Sequence, residues 1–202
     1  KLVPDDALAK RRLQSIELAK KWINNPTRHE VVELKNINTE WNEWGPRFSA
    51  SEDENEVIFT SSRPTEMSED VDVWTGEYFS DIYTSAKLKN RELSEPNLIS
   101  IEQINTEANE GELVFAKGSS TQNVYFSRCL IQHREQLNCA IYMTKPVEKD
   151  KKGKKRSQMD ESEEKQSPFI MIDLGDTAFN YFHPAISSDE LTLYFSSNRP
   201  GG

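Results

Sequence analysis

The sequence contains no long apolar run and no excess of positive charge. Hydrophobic residues make up 35% of its 202 residues, and no apolar stretch approaches the roughly 20 residues that cross a bilayer. The first residues, Lys1–Pro4, lack the apolar core of a signal peptide. The formal net charge of -9 argues against nucleic acid, whose phosphates bind a cationic surface. We therefore expect neither direct membrane insertion by this segment nor a nucleic-acid partner.

The sequence is also poor in the residues and motifs of catalysis. Its three histidines, His29, His133 and His183, lie far apart in the chain. It contains no Gly-x-Ser-x-Gly, His-Glu-x-x-His, P-loop or Gly-x-Gly-x-x-Gly motif. Because 34 acidic residues are spread along the chain, no pair of carboxylates stands out as an acid and a base. We expect no enzymatic activity, no catalytic residue, no cofactor and no metal site.

Cysteine is rare, with only Cys129 and Cys139. Each lies at the end of a candidate strand, so the two could meet across an antiparallel pair at a distance that a disulfide can bridge. A disulfide suits an exported protein. Two free buried thiols, or a metal or redox role, are the alternatives. A zinc site would be short of ligands, since His133 is the only further ligand type nearby.

The N-terminal segment has a helical period. Asp5 and Asp6 follow Pro4 and favour a helix N-terminus, and Asn24–Pro26 ends the pattern. This predicts a helix over residues 5–25 whose apolar stripe must be buried on a neighbour, either another helix or the side of the β domain. The stripe recurs at three- and four-residue steps: Leu8, Arg12 through its stem, Ile16, Ala19, Trp22 and Ile23.

From residue 30 the pattern becomes alternating, and short β-branched and aromatic runs follow one another. Val31, Val32, Leu34 and Ile37 suggest a first strand. Polar, turn-rich segments separate the later runs, as is typical of an all-β fold. The further candidate strands are 45–49, 56–61, 80–86, 111–116, 122–128, 139–144, 169–173, 183–187 and 191–197.

One sequence pattern occurs three times. In each copy an apolar residue is followed by a turn and then by a strand that contains a phenylalanine followed by serine or threonine. The apolar residue and the phenylalanine are Phe48 and Phe59, Phe115 and Phe126, and Ile186 and Phe195. A further element, Asp81–Tyr83 or Ala140–Tyr142, follows the first two copies. With an outer strand, this gives four antiparallel strands per unit, the composition of a propeller blade. The pattern predicts a mainly β fold of about three blades, the last one incomplete, preceded by one helix.

Two insertions lengthen the repeat beyond the roughly 40–50 residues of common blades. The first, Pro64–Phe79, carries Trp74, Tyr78 and Phe79, which either cap the blade edge or form a partner surface. Its acidic residues 66–72 are either a solvated loop or a calcium-binding loop without the usual spacing. The second, within 149–166, is highly charged, and we predict a mobile loop.

Arg63 and Arg199 follow the strand aromatics and have serines beside them. They could donate hydrogen bonds to a ligand on one propeller face. The alternative is that each arginine fixes a blade corner, with Arg63 paired to Asp81 or to loop carbonyls. Because the motif recurs from blade to blade, we predict the structural role for Arg63, Asp81 and Arg199.

The repeated pattern Pro-x-Φ-Ser-x-Asp…Φ-x-Phe-Ser-Ser-x-Arg-Pro-Gly-Gly, with Asp-Ile-Tyr downstream, resembles the "WD40-like" propeller repeat of the periplasmic TolB family. The segment Pro184–Gly202 matches it almost fully, and Pro46–Pro64 with Asp81–Tyr83 matches well. The resemblance covers roughly residues 43–202 and implies a β-propeller. The middle copy departs at three positions: Leu113, Arg128 and Ala140.

A helical stretch that ends in Asn25–Arg28 and leads directly into such repeats is similar to the same junction in PorE-type, outer-membrane-associated components of the type IX secretion system. This resemblance implies that 1–28 is the last helix of a tetratricopeptide-like domain. Residues 29–202 would be a partial propeller with units near 43–100, 107–174 and 180–202. The implied location is periplasmic and outer-membrane associated. Since the chain begins without Met and stops within a repeat, we expect both ends to be cut.

The resemblance implies a non-enzymatic scaffold whose partners are other secretion-system or envelope proteins. Peptidoglycan would be bound only through an OmpA-like domain that is absent from this chain. The alternative is the accessory, substrate-gating propeller of a dipeptidyl-peptidase-like serine peptidase. For the scaffold, Trp74, Tyr78 and Phe79 are the candidate partner surface.

Overall fold

The structure is a computed structural model that describes residues 6–49, 55–65, 70–73, 75–90, 92–116, 123–132, 136–144 and 167–201. It divides into two units, Lys1–Glu33 and Leu34–Gly202. One helix and three antiparallel sheets make up the described part, which confirms the prediction of a mainly β chain preceded by a helix. The predictions for Trp74, for His133 and for the loop 149–166 lie outside the described residues.

The helix α1 spans Ala7–Asn24. Its N-terminus is capped by Asp6, whose Oδ1 accepts the Ala9 N–H at 2.8 Å. At its other end the backbone N–H of Asn25 donates to the Lys21 carbonyl at 3.0 Å. The predicted helix is therefore confirmed within two residues at each end. No helix in the described part is long and apolar enough to cross a membrane.

The strands form three sheets in which neighbours in sequence are neighbours in space. Sheet 1 contains β1 (Glu43–Phe48), β2 (Glu56–Ser61), β3 (Asp81–Ala86) and β4 (Asn97–Leu98). Sheet 2 contains β5 (Asn109–Phe115), β6 (Val124–Gln132), β7 (Gln136–Thr144) and β8 (Phe169–Met171). Sheet 3 contains β9 (Tyr181–Ile186) and β10 (Leu193–Ser197). The described residues do not close into a barrel or a propeller.

The predicted strand at residues 31–37 is wrong. Val31 is 97% exposed, and the chain turns at Leu34, whose carbonyl accepts the Ile37 N–H at 2.8 Å. Ile37 alone is buried, beside Phe59 and Tyr83. The segment has the composition of a strand, but no strand in the described part of the chain lies beside it to receive its backbone hydrogen bonds.

The first two strands of each sheet pair in the same register, which contains the same irregularity. In every sheet the register shifts at a β-bulge of two residues in the first strand, at 45–46, 112–113 and 183–184. The first residue of this bulge has a left-handed backbone in all three: φ is 63° at Gly45, 53° at Glu112 and 55° at His183. A recurring bulge bends each first strand at the same point. We call Gly45, Glu112 and His183 the bulge residues.

The bulge residue of one sheet is bonded to the sheet before it. The Glu112 N–H donates to Thr60 Oγ1 at 3.0 Å, and the His183 N–H donates to Ser127 Oγ at 3.2 Å. Thr60 and Ser127 hold the same position, opposite the residue that precedes the bulge residue. Thus sheets 1 and 2, and sheets 2 and 3, are joined by the same hydrogen bond.

A second hydrogen bond repeats in the same way. The Ser80 N–H donates to Asn109 Oδ1 at 2.9 Å, and the Cys139 N–H donates to Asn180 Oδ1 at 2.8 Å. Asn109 and Asn180 each lie three residues before the bulge residue of their sheet. One geometric step therefore relates sheet 1 to sheet 2 and sheet 2 to sheet 3.

The main apolar core lies between sheets 1 and 2. It joins Ile58 and Ile82 of sheet 1 to Leu113 and Phe126 of sheet 2. Phe126 and Ile82 are fully buried, as expected for side chains in the contact of two packed sheets. In sheet 3 the corresponding apolar surface is more open, since Tyr194 is 63% exposed.

Candidate interaction site

Arg63 is held by atoms of sheet 1 and of the segment before it. Its Nη2 donates to the Ile37 carbonyl at 2.7 Å and to Glu43 Oε1 at 3.1 Å, and its Nε donates to Ser61 Oγ at 2.9 Å. The predicted loop carbonyl is therefore a partner, but the predicted ion pair with Asp81 is wrong. Glu43 takes that place because it lies directly opposite Ser61 on the neighbouring strand.

Asp81 is buried and lies opposite Ser61 on β3, the other neighbour of β2. Burial, together with the nearby charge of Glu110, raises the pKa of Asp81 to about 7, although a hydrogen bond with Thr65 acts in the opposite direction. A carboxyl in this environment has neither an arginine nor solvent to stabilise its charge. Asp81 is thus a buried acid at the contact of sheets 1 and 2, rather than the counter-ion of Arg63.

Arg128 has the same environment in sheet 2. Its Nε donates to Glu110 Oε1 at 2.7 Å, and its Nη2 donates to the carbonyls of Gln103 at 2.8 Å and Ile104 at 3.0 Å. Both guanidinium groups also lie over an aromatic pair of their own sheet. Arg63 lies 5.5 Å from the Phe59 ring and 4.9 Å from Tyr83, and Arg128 lies 5.1 Å from both Phe126 and Tyr142.

The third arginine, Arg199, has only part of this environment. Its backbone N–H donates to Ser197 Oγ at 3.2 Å, as the Arg63 N–H does to Ser61 at the same distance. The position of the glutamate is taken by Tyr181, which pairs with Ser197. Arg199 is exposed and has no ion pair within the described residues. Its guanidinium is therefore not fixed by a carboxylate of its own sheet.

Cys129 and Cys139 form a disulfide with an S–S distance of 2.03 Å. They lie directly opposite each other on β6 and β7, and Cys139 is fully buried. The bond links the two central strands of sheet 2 beside the hydrogen bond that Cys139 donates to Asn180. The disulfide therefore lies at the contact of sheets 2 and 3.

The aromatic insertion forms a short hairpin against sheet 1. Val71 pairs with Tyr78, and the Tyr78 ring packs edge-on against Trp41 with centroids 5.0 Å apart. Tyr78 and Phe79 are half-buried, so packing accounts for part of their surface. Among the described apolar residues of the hairpin, Val73 is the most exposed, at 77%.

Acidic side chains fix this hairpin to both neighbouring sheets. Glu77 accepts hydrogen bonds from Asn42 Nδ2 and Ser62 Oγ of the sheet 1 side. Asp72, which is only 1% exposed, accepts from Asn109 Nδ2 of sheet 2 at 2.8 Å. Asp72 is thus a buried anchor, and the described residues contain no cluster of three possible metal ligands.

A cavity of about 230 Å³ opens beside this hairpin. Its aromatic walls are Trp44 and Phe182, which precede the bulge residues of β1 and β9. The residue that precedes the bulge residue of β5 is Gly111, where an added Cβ would lie 3.9 Å from Trp44 Nε1. Glycine therefore keeps this part of the cavity open. Asp72, Glu112 and His183 supply polar lining.

Charged groups of three sheets come together around Glu112, which lines this cavity. Glu112 Oε2 lies 3.3 Å from His183 Nε2, and Arg47 Nη2 donates to the Pro184 carbonyl at 3.4 Å. Burial raises the pKa of Glu112, whereas the charges of His183 and Arg47 lower it. Glu112 Oε2 and Arg47 Nε are buried without a hydrogen-bond partner among the described residues. The site is therefore suited to binding polar groups of another molecule beside aromatic surface.

The sequence predictions missed the residues that join the sheets: Thr60, Asn109, Ser127 and Asn180. A signal for the asparagines was present, because Asn42, Asn109 and Asn180 hold the same position in the three copies. The cavity had no comparable signal, since its walls come from residues that differ between the copies. Comparisons with family models, with curated proteins and with solved structures gave no match.

Proposed function

We propose that the three sheets are consecutive blades of a β-propeller and that the chain is a non-enzymatic protein-interaction scaffold. The observation that carries the proposal is that the same two hydrogen bonds join sheet 1 to sheet 2 and sheet 2 to sheet 3. A step that repeats generates either a ring of blades or a linear stack.

The contacts of the first strands favour the ring. Packed sheets lie about 10 Å apart, so in a linear stack the first strands of sheets 1 and 3 would be about 20 Å apart. Instead, Arg47 of β1 reaches the carbonyl of Pro184 on β9. A Cβ added at Gly45 would also lie 3.0 Å from Glu112 Cγ. These contacts are expected when the first strands of successive blades converge on a common axis.

The interaction surface in this proposal is the hairpin Val71–Tyr78 together with the cavity beside it. Propellers bind partners through loops at one face, and an aromatic-walled cavity with a few polar groups is a common anchor site. The resemblance of the repeats supports a periplasmic, outer-membrane-associated component of a type IX secretion system. Its partners would be other envelope proteins, and peptidoglycan would be bound only by a domain outside this chain.

Site-specific photo-crosslinking in bacterial cells tests the scaffold function. A photoreactive residue replaces Val73, which is 77% exposed, and Leu191 on the turn between β9 and β10, an apolar residue that is 84% exposed, provides the matched control position. We expect crosslinks at 73 to one or a few envelope proteins and none of these at 191. Equal crosslinking at both positions, or none at 73, would contradict the proposed surface.

The peptidase alternative predicts a different result in the same cells. If the chain gates substrate for a serine peptidase, the native polypeptide that contains it carries an activated serine. Isolation with an antibody to this chain, followed by labelling with a fluorophosphonate probe, detects that serine. We expect no label on the native polypeptide, and stoichiometric labelling would refute the scaffold proposal.

A further inference from the structure

We propose that the cavity beside the hairpin binds an arginine side chain of the partner protein. The inference rests on the function proposed above, because it assigns a chemistry to part of the same interaction surface. It concerns the cavity of about 230 Å³ whose aromatic walls are Trp44 and Phe182.

The chain itself shows which environment it provides for a guanidinium group. Arg63 lies over two aromatic rings of sheet 1, and its Nη2 donates to Glu43 Oε1 at 3.1 Å. Arg128 lies over two rings of sheet 2, and its Nε donates to Glu110 Oε1 at 2.7 Å. A guanidinium group suits such a site because it is planar, weakly hydrated and able to donate several hydrogen bonds while it stacks on a ring. Two aromatic rings and a glutamate are therefore the recurring arginine site of these sheets.

The cavity contains two aromatic side chains and a glutamate in the same way. Trp44 and Phe182 form its walls, and Glu112 lines it as well. Glu112 Oε2 is buried and accepts no hydrogen bond from the described residues. No arginine or lysine is among the residues that line the cavity in the described part of the chain. The cavity thus has the components of the internal arginine sites except for the arginine itself.

The charges of the lining also favour a cation. The carboxylates of Asp72, Glu110 and Glu112 line the cavity, and His183 is the one lining residue of the described part that can carry a positive charge. Glu110 is already paired with Arg128. An anionic group entering the cavity would meet the charges of Asp72 and Glu112, whereas a cationic group would be attracted by both.

Two basic side chains lie near Glu112 and leave it able to bind a ligand. Its Oε2 lies 3.3 Å from His183 Nε2 without forming a hydrogen bond. Arg47 donates from Nη2 to the Pro184 carbonyl at 3.4 Å. The side chain of His183 is 55% exposed, and exposed side chains change rotamer within nanoseconds. A turn of this imidazole away from Glu112 uncovers Oε2 for a guanidinium group.

The test measures the binding of short peptides to the full chain. The first peptide is acetylated and amidated Gly-Arg-Gly, and its control carries citrulline, which has the shape of arginine but no charge. Nuclear magnetic resonance of the Trp44 indole N–H follows the titration, and the Trp44→Phe variant assigns the signal. We expect the arginine peptide to bind about tenfold or more tightly than the citrulline peptide, since charge-assisted hydrogen bonds are the stronger kind.

Two further peptides distinguish arginine from the other charged side chains. Gly-Lys-Gly should bind about threefold or more weakly than the arginine peptide, because an ammonium group is more strongly hydrated and stacks less well on a ring. Gly-Glu-Gly should not shift the Trp44 signal at the concentrations that saturate the arginine peptide.

Variants of the chain assign the binding to the cavity. Glu112→Gln should weaken the arginine peptide by about fivefold or more, because it removes the charge beside the rings. Glu190→Gln is the matched control: Glu190 also has positive φ, 59° against 53° at Glu112, but it lies on the turn between β9 and β10, and the change should leave binding unaltered. Phe182→Leu keeps an apolar wall without a ring and should cost about threefold. It keeps the test decisive if circular dichroism shows that Glu112→Gln does not fold.

The inference is overturned if the citrulline or the lysine peptide binds as tightly as the arginine peptide, or if the glutamate peptide binds more tightly. It is also overturned if Glu112→Gln and Phe182→Leu fold and bind as the parent does. Any of these results together with crosslinks at Val73 would refute the arginine site and leave the scaffold function standing. Selective arginine binding without crosslinks at Val73 would support the cavity chemistry and contradict the hairpin as the partner surface.

Discussion

Replacing Arg128 by alanine should destabilise the chain more than the same change at Arg63. Arg128 pairs with Glu110, whose side chain is fully buried. Arg63 pairs with Glu43, whose side chain is 12% exposed and which also accepts a hydrogen bond from Ser61 Oγ at 3.1 Å. The two variants therefore remove the same group from two environments that differ in the carboxylate left behind.

The magnitude follows from that difference. Removing one partner of a buried ion pair costs about 3–5 kcal/mol, since the remaining charge has lost its partner and cannot reach water. Arg128→Ala also leaves the carbonyls of Gln103 and Ile104 without their donor. At Arg63 the remaining serine bond and the partial exposure of Glu43 compensate for part of the loss, and we expect a cost about 1–2 kcal/mol smaller.

Urea unfolding followed by circular dichroism of the β signal measures both variants against the parent chain. The Arg128→Ala, Glu110→Gln double variant should recover part of the loss, because it removes the isolated charge. Equal losses for Arg128→Ala and Arg63→Ala would refute the reasoning from burial. So would a double variant whose loss is the sum of the two single losses.

The pH dependence of Arg128→Ala provides a further check. Burial raises the pKa of Glu110, and Arg128 lowers it, so the variant should have a still higher pKa there. A group whose pKa is raised on folding contributes stability that is present below its unfolded pKa and lost as the pH rises. The destabilisation of Arg128→Ala should therefore be larger at about pH 8 than at about pH 5. A pH-independent difference would contradict this assignment.

Three further predictions concern other contacts of the sheets. Because the pKa of Asp81 is raised from 3.8 to about 7, its stabilising contribution should be lost between those pH values, and Asp81→Asn should remove that part of the pH dependence in urea unfolding. Replacing Cys129–Cys139 by two alanines opens a ring of about ten residues and should cost about 3 kcal/mol in the same assay. Gly45→Ala should lower the melting temperature more than Gly76→Ala; both have positive φ, but only the Cβ at 45 meets another side chain, at 3.0 Å. Equal effects at the two glycines would show that backbone strain alone matters.

Local patterns predicted much of the secondary structure. The helix and the strands around Phe59, Tyr83 and Phe126 have periods and caps that a short window of sequence contains. The segment 31–37 has the same kind of composition and forms no strand, because pairing depends on a partner elsewhere in the chain. Strand formation in this chain thus follows the repeat more closely than it follows propensity.

The contacts of the arginines could not be read from spacing. Arg128 lies two residues after Phe126, whereas Arg63 lies four residues after Phe59, and the sequence indicated a departure from the repeat. The structure places both guanidinium groups over a Phe–Tyr pair and beside a glutamate. A long side chain reaches one place from two backbone positions. The recurring feature is the location of the cation, and residue spacing does not encode it.

The bulge residues connect the constant and the variable parts of these sheets. A left-handed backbone suits Gly45 and costs about 1 kcal/mol at Glu112 and His183. The hydrogen bonds that their N–H groups donate to the preceding sheet help to offset this cost. The backbone of the bulge thus joins the sheets, while its side chain is free to differ between copies. Since Glu112 and His183 line the cavity, substitutions at these positions can change what the cavity binds without changing how the sheets are joined.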